Sequence, residues 1–229
     1  MPDFSLEESL GLSTRAVIVG VDEVGRGPLA GPVTAAAVFV DRQKITSDLL
    51  TKIDDSKKIP QKQRATISKQ IEGIAIIGIG WASSSEIDQL NILEASMLAM
   101  QRAIFSLRKQ IILDPDYILI DGNKVPRLDF PSKAIVRGDE KSISIAAASI
   151  VAKCKRDAFM TSLSKLYPYY GWEKNAGYGT REHLAAIERE GITAHHRRSF
   201  KPIISQFQEL GKNIKKRSSL LLQFGECLN

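Results

Sequence analysis

Cysteine is almost absent from this 229-residue chain: Cys154 and Cys227 lie far apart and form no metal-type pair. That excludes a disulfide framework and fits a reducing compartment. Histidine is scarce too, and His195-His196 have no spaced partner that would argue for zinc. No apolar run approaches the length that spans a bilayer. The opening residues MPDFSLEESLGLSTR carry acid where a secretory signal would need base. A cytoplasmic protein with no membrane partner is therefore expected. Internal repeats and low-complexity linkers are missing as well. Nothing signals oligomerisation, so a monomer is expected.

What is present is ordinary for a globular protein, with 43% hydrophobic and 25% charged residues. The length suits one α/β domain with an appendage. A net charge of +6 favours polyanionic partners. Basic residues cluster at Lys57-Lys58, Lys153 to Arg156, Arg197-Arg198 and Lys212 to Arg217. The last run reads as a solvated helix face.

Residues 16–22, AVIVGVD, form a β-branched apolar run that predicts a buried strand. After the turn-rich GRGPLAGP, residues 33–40 (VTAAAVFV) predict a second strand, so the pair reads as a hairpin or tight strand–loop–strand. A helix is expected over 57–72, a strand over 74–81, and one long helix from Ser84 or Ser85 with its apolar face running to Ile104. YILI (117–120) predicts a short strand ending on Asp121-Gly122-Asn123, and residues 134–136 another ending at Arg137-Gly138-Asp139. Ser142 or Ser144 caps a long alanine-rich helix. An aromatic, glycine-rich loop (167–178) and a helix near 180–190 follow, and amphipathic helices are expected beyond Pro202. The expected fold is a mixed α/β core with a helical, basic C-terminal third.

Asp22 and Glu23 stand at a strand end, where adjacent carboxylates repel and are poorly hydrated. Two divalent cations would remove that penalty and supply phosphoryl-transfer chemistry. An all-oxygen donor set favours Mg²⁺ or Mn²⁺ over zinc. Taken alone, the pair reads first as an exposed pair at the lip of a turn. Asp121 and Asp139 alter the weighing, since each closes a predicted strand beside a glycine, and active sites of open α/β sheets gather at strand ends. Gly25-Arg26-Gly27 would let backbone approach a ligand closely, or simply turn a hairpin. Gly25, Gly27 and Ala30 also match a dinucleotide-binding spacing, but Pro32 would fall inside the helix that motif requires. No Gly-Lys-Ser/Thr follows to make a P-loop. Ser56, Lys57 and Lys58 at a helix start could hold a phosphate. Tyr178, between two glycines, could stack on a sugar or base. Arg197, in His195-His196-Arg197-Arg198, could clamp a phosphate, or the segment could be a basic surface turn.

DEVGRGPLAGPV (22–33), DDSKK (54–58), NILEASMLAMQRA (91–103), IDGN (120–123), GDEKSISIAAASIVAKCKRD (138–157), GYGT (177–180) and HHRRSF (195–200) together resemble bacterial ribonuclease HII. The resemblance covers most of the chain from Val17 to Phe200. The related ribonuclease HIII fits less well: it carries an additional N-terminal domain and usually lacks the central arginine of Gly-Arg-Gly. The resemblance implies a ribonuclease-H-like mixed sheet flanked by helices, with residues 1–190 as catalytic domain and 191–229 as a small helical portion that aids duplex binding. It implies hydrolysis of the RNA strand in RNA–DNA hybrids, and incision 5′ of single ribonucleotides in duplex DNA that leaves a 3′-hydroxyl and a 5′-phosphate. Its metal carboxylates map onto Asp22, Glu23, Asp121 and Asp139, its 2′-hydroxyl sensor onto Gly25, Arg26 and Gly27, and its sugar-stacking tyrosine onto Tyr178. Ala176 stands where many relatives carry a phosphate-binding lysine. Gln206-Phe207 and Leu221 to Phe224 loosely suggest a sliding-clamp peptide, although a packing helix explains them better. A non-catalytic hybrid-binding module is the second reading of the chain, and a dinucleotide-dependent enzyme the third.

Overall fold

The computed structural model describes residues 1–205 except 55, 57, 58, 112 and 202. The strands are β1 (Ile18–Val24), β2 (Val33–Val40), β3 (Ala75–Ala82), β4 (Tyr117–Asp121) and β5 (Ser132–Ile135). They form one sheet in the order β3-β2-β1-β4-β5. The first three pair antiparallel, while β4 and β5 join parallel to β1. The helices are α1 (Ser5–Glu8), α2 (Ser47–Lys52), α3 (Gln61–Glu72), α4 (Ser84–Leu90), α5 (Ile92–Arg108), α6 (Ile143–Leu166), α7 (Trp172–Asn175) and α8 (Arg181–Glu190).

Strand alternation splits the core into two layers. Val19 and Val21 of β1, with Ala35 and Ala37 of β2, pack on α5 through Ala99, Met100, Ala103 and Leu107. Ala36 and Val38 face the other way, onto Ile143, Ala147, Ile150 and Val151 of α6 and Ile67 and Ile71 of α3. Met100 and Leu107 are fully buried, and each such side chain contributes roughly 2 kcal/mol of burial. Helix α6 begins at an N-cap in which Ser142 accepts from the Ile145 amide. Its alanine-rich first turns lie so close to β1 that a Cβ on Gly20 would overlap the Ser144 backbone. A third cluster, with Leu29, Met160, Trp172, Ile187 and Ile203, packs the far end of α6 under the β1–β2 connection.

Four sequence expectations need correction. Strand β1 runs on to Val24, because Asp22 and Glu23 still pair with Ala36 and Ala35 of β2. Strand β5 ends at Ile135, and Asp139 lies in a separate 3₁₀ turn, Gly138–Glu140. The single long helix from Ser84 is two helices. Asn91 adopts a left-handed φ of 72° and its side chain caps α5 by accepting from the Leu93 and Glu94 amides. Residues 191–200 are not helical; helix resumes only at Lys201. The basic run 212–217 and the clamp-like segments lie outside the described residues. Among the described residues no helix is long and apolar enough to cross a membrane.

Candidate active site

Parallel pairing of Val21 with Ile120 puts the next residue of each strand, Asp22 and Asp121, side by side at one end of the sheet. By alternation both lie on the α6 face, Asp22 with Gly20 and Asp121 with Leu119. Asp121 then positions the third carboxylate. Its Oδ1 accepts a 2.7 Å hydrogen bond from the Gly138 amide, which holds the 3₁₀ turn carrying Asp139. Glu23 leaves β1 on the opposite side but reaches the same strand-end cleft. All four carboxylates, together with Gly25, Arg26, Gly27 and Tyr178, line that cleft of about 570 Å³. The four carboxylates thus converge, although from the last residues of β1, the end of β4 and a 3₁₀ turn and not from three strand ends.

The electrostatics are unfavourable as they stand. Asp22 is only 6% exposed. Burial, then the charges of Glu23 and Asp121, push its carboxyl well above the usual range, while a Ser149 hydrogen bond acts in the other direction. Burial also raises Glu23, opposed by Arg26, whose Nη1 lies 3.3 Å from Oε1. Oε2 of Glu23 is buried with no hydrogen-bond partner among the described residues. No three or more His, Cys, Asp or Glu side chains among the described residues stand as a ready-made ion cage. The donors nonetheless fit hard cations: all are oxygens, one is orphaned, and their mutual repulsion falls when positive charge sits between them.

The Gly25-Arg26-Gly27 loop is held by two buried arginines. Arg197 is fully buried, and its Nε, Nη1 and Nη2 donate to the carbonyls of Gly31, Arg26 and Gly25 at 3.0, 2.9 and 2.5 Å. Arg156, equally buried, donates to the carbonyls of Pro32, Ala176 and Ala30. Gly25 has φ +92°, and a Cβ there would overlap the Arg156 guanidinium. These findings overturn both readings of Arg197, phosphate clamp and surface turn, because its planar donors are satisfied by loop carbonyls. No simple periodicity carries that signal: the carbonyls of an irregular buried loop need donors, and they come from distant residues.

Tyr178 is half exposed, with its ring edge 3.4 Å from where a Gly27 Cβ would lie. Ser56 is buried, its Oγ 3.0 Å from Ser149 Oγ. It lines the cleft and is linked through Ser149 to Asp22. Lys57 lies outside the described residues. The sequence reading missed Ser149 and Arg64, which also line the cleft. Lys153 lines it too and pairs with Asp157 at 2.7 Å. Ala176 holds a left-handed φ of 48° and gives its carbonyl to Arg156.

Beneath the loop, His196 is 1% exposed, and burial followed by the neighbouring His183 and His195 lowers its pKa to about 3 from 6.5. Its folded value is depressed, so its stabilising contribution is complete above about pH 6.5 and is lost as pH falls towards 3. The stability difference between wild type and His196→Gln should shrink by up to about 1.4 kcal/mol per pH unit below 6.5. Chemical denaturation of metal-free protein at pH 7.5 and 5.0 checks this; a constant difference would contradict it.

The family model described as "Ribonuclease HII" matches residues 19–203. The chain belongs to the ribonuclease HII family. The ribonuclease HII of Paramagnetospirillum magneticum is 49% identical over 203 residues, covering 89% of this chain and 97% of that protein. That of Rhodospirillum rubrum is 52% identical over 205 residues, covering 89% and 90%. The fold matches ribonuclease H2 from Pyrococcus horikoshii with TM-score 0.68 at 23% identity, over 82% of this chain and 95% of that one. It also matches the ribonuclease HII in the Archaeoglobus fulgidus PCNA:RNase HII complex (0.65, 22%, 80% and 95%). Bst-RNase HIII in complex with Mn²⁺ matches at 0.66 and 17%, over 88% and 79%. Family membership makes the chain a ribonuclease H, an endonuclease for the RNA of RNA–DNA hybrids.

Proposed function

We propose that this ribonuclease HII incises 5′ of single ribonucleotides embedded in duplex DNA, as well as cutting the RNA strand of hybrids, leaving a 3′-hydroxyl and a 5′-phosphate. One observation carries the reading: Asp22, Glu23, Asp121 and Asp139 meet the Gly25-Arg26-Gly27 loop and Tyr178 in a single cleft. Asp22, Glu23, Asp121 and Asp139 would hold two divalent ions, Mg²⁺ or Mn²⁺. When bound, such a pair activates water and stabilises the leaving oxygen of an in-line displacement. The Mn²⁺ complex of a ribonuclease HIII with this fold supports that assignment.

The protein's own residues supply selection. Gly25-Arg26-Gly27 brings backbone groups within reach of a 2′-hydroxyl, the feature that separates RNA from DNA at one position. Tyr178 packs on the adjacent deoxyribose, where a further hydroxyl would interfere. Arg26 and Lys153, which line the cleft, would contact phosphates, as Lys57 would by its basic charge, and give salt-dependent, sequence-independent affinity. Ser56 supports the site through Ser149 and Asp22. Residues 191–229 extend duplex binding. The tail beyond Phe200 meets a sliding clamp, as an archaeal relative's PCNA complex suggests. The protein works as a cytoplasmic monomer.

A labelled RNA–DNA hybrid, an all-DNA duplex and a duplex with one ribonucleotide test the reading, each with Mg²⁺ or Mn²⁺ and then with chelator. Metal-dependent cutting of the first and third, and not the second, is expected. Cutting that survives chelation, or an intact third substrate, would overturn the proposal.

A further inference from the structure

Behind Tyr178 runs a buried chain of hydrogen bonds whose direction is fixed by its donors. The Thr193 amide donates to His196 Nδ1 at 2.9 Å, so His196 in its neutral form carries its proton on Nε2. That nitrogen lies 3.2 Å from His183 Nε2, which also receives the indole N–H of Trp172 at 3.0 Å. His183 Nε2 is therefore an acceptor, and the ring's proton sits on Nδ1. Nδ1 lies 2.8 Å from the carbonyl of Tyr178 and donates to it. His183, His196 and Trp172 are each 1% exposed or less. A buried pair of imidazoles in these tautomers leaves one donor, and it points at the backbone of the exposed tyrosine.

We propose that His183, fixed in its Nδ1–H form by His196 and Trp172, is a specificity-positioning residue that sets Tyr178 against Gly27. This rests on the reading of Tyr178 as the sensor of the adjacent deoxyribose. The connection is short. The Gly177 carbonyl accepts from the Leu29 amide at 2.8 Å, and Arg197, next to His196, holds the carbonyls of Gly25 and Arg26. The Tyr178 backbone is thus tied through Gly177 to Leu29, just beyond the Gly25-Arg26-Gly27 loop, while its own carbonyl is shared by His183 and the Thr180 amide at 2.8 Å. The distance between ring and loop is set by protein contacts before substrate arrives. Neither imidazole touches the reacting atoms, so the effect falls on selection rather than on chemistry.

The test compares kcat/KM on a single-ribonucleotide duplex with that on a uniform hybrid, in wild type, Tyr178→Ala, His183→Ala and His183→Asn. Loss of the hydrogen bond should lower the ratio about tenfold in His183→Ala. His183→Asn, whose amide nitrogen replaces Nδ1, should restore most of it. His183→Ala should add nothing in a Tyr178→Ala background. Parallel loss on both substrates with an unchanged ratio would make the role merely structural and overturn the proposal. An unchanged ratio in Tyr178→Ala would instead defeat the reading of the tyrosine. Nitrogen-15 NMR of the wild type keeps the proposal falsifiable should His183→Ala not fold. Protonation of His183 at Nδ1 and of His196 at Nε2 is expected; the reverse tautomer at His183 would overturn it.

Discussion

Asp121→Asn should reduce nicking at a single ribonucleotide by about a thousandfold or more while leaving duplex affinity within about threefold. The substitution is nearly isosteric, and asparagine Oδ1 can still accept the Gly138 amide that holds the Asp139 turn. What disappears is one negative charge beside Asp22. An ion pair assigned to this cleft supplies several kcal/mol of transition-state stabilisation. Each 1.4 kcal/mol is about a factor of ten in rate, so a poorly held ion brings the loss into that range. Affinity for the duplex comes from phosphate contacts, to which Asp121 does not contribute. Single-turnover rates and fluorescence anisotropy in Mg²⁺ measure the two separately. A wild-type rate would remove Asp121 from the site.

Arg197→Met should lower stability by about 3 kcal/mol and cut activity about a hundredfold, although Arg197 is buried and donates to loop carbonyls. Two effects compete. Removing a buried cation relieves desolvation: burial and then Arg156 hold the Arg197 guanidinium down to about 9. Against that, the carbonyls of Gly31, Arg26 and Gly25 lose their donor. Each stranded carbonyl costs about 1–3 kcal/mol, and three of them outweigh the relief. The expected fall in Tm is about 6–12 °C. The activity loss follows from displacing the Gly25-Arg26-Gly27 loop, proposed to sense the ribonucleotide, where a shift of about 1 Å can cost a factor of 10². Arg197→Lys should rescue little, since one ammonium cannot span three carbonyls. Calorimetry and the nicking assay check both halves; full activity in Arg197→Met would show that the loop holds itself.

Much of this was legible in the sequence. Alternation and turn residues placed β2 at Val33–Val40 and ended β4 on Asp121. A capping serine, read as Ser142 or Ser144, started α6, and it is Ser142. Asp22, Glu23, Asp121 and Asp139 could be singled out because charge at the end of an apolar strand is costly without a purpose. Other features were hidden for physical reasons. The apolar stripe continues across Asn91, so periodicity could not detect a break made by one residue's left-handed backbone. Helix α2 rests on a Thr46 cap and few apolar residues. Arg156 read as a member of a basic cluster, and Arg197 and His196 as part of a phosphate clamp or basic surface turn, yet all three are buried. Their environment is set by loop carbonyls and rings distant in sequence, which local pattern does not encode.

Four carboxylates and the Gly25-Arg26-Gly27 loop, proposed to sense a ribonucleotide, share one cleft. The position of the cut in a DNA duplex containing one ribonucleotide, mapped on both strands at single-nucleotide resolution, tests it most directly. A single metal-dependent nick immediately 5′ of the ribonucleotide, with a 3′-hydroxyl and a 5′-phosphate, is the expected result. A nick elsewhere, cutting of the all-DNA control at a comparable rate, or a 2′,3′-cyclic phosphate end would contradict it.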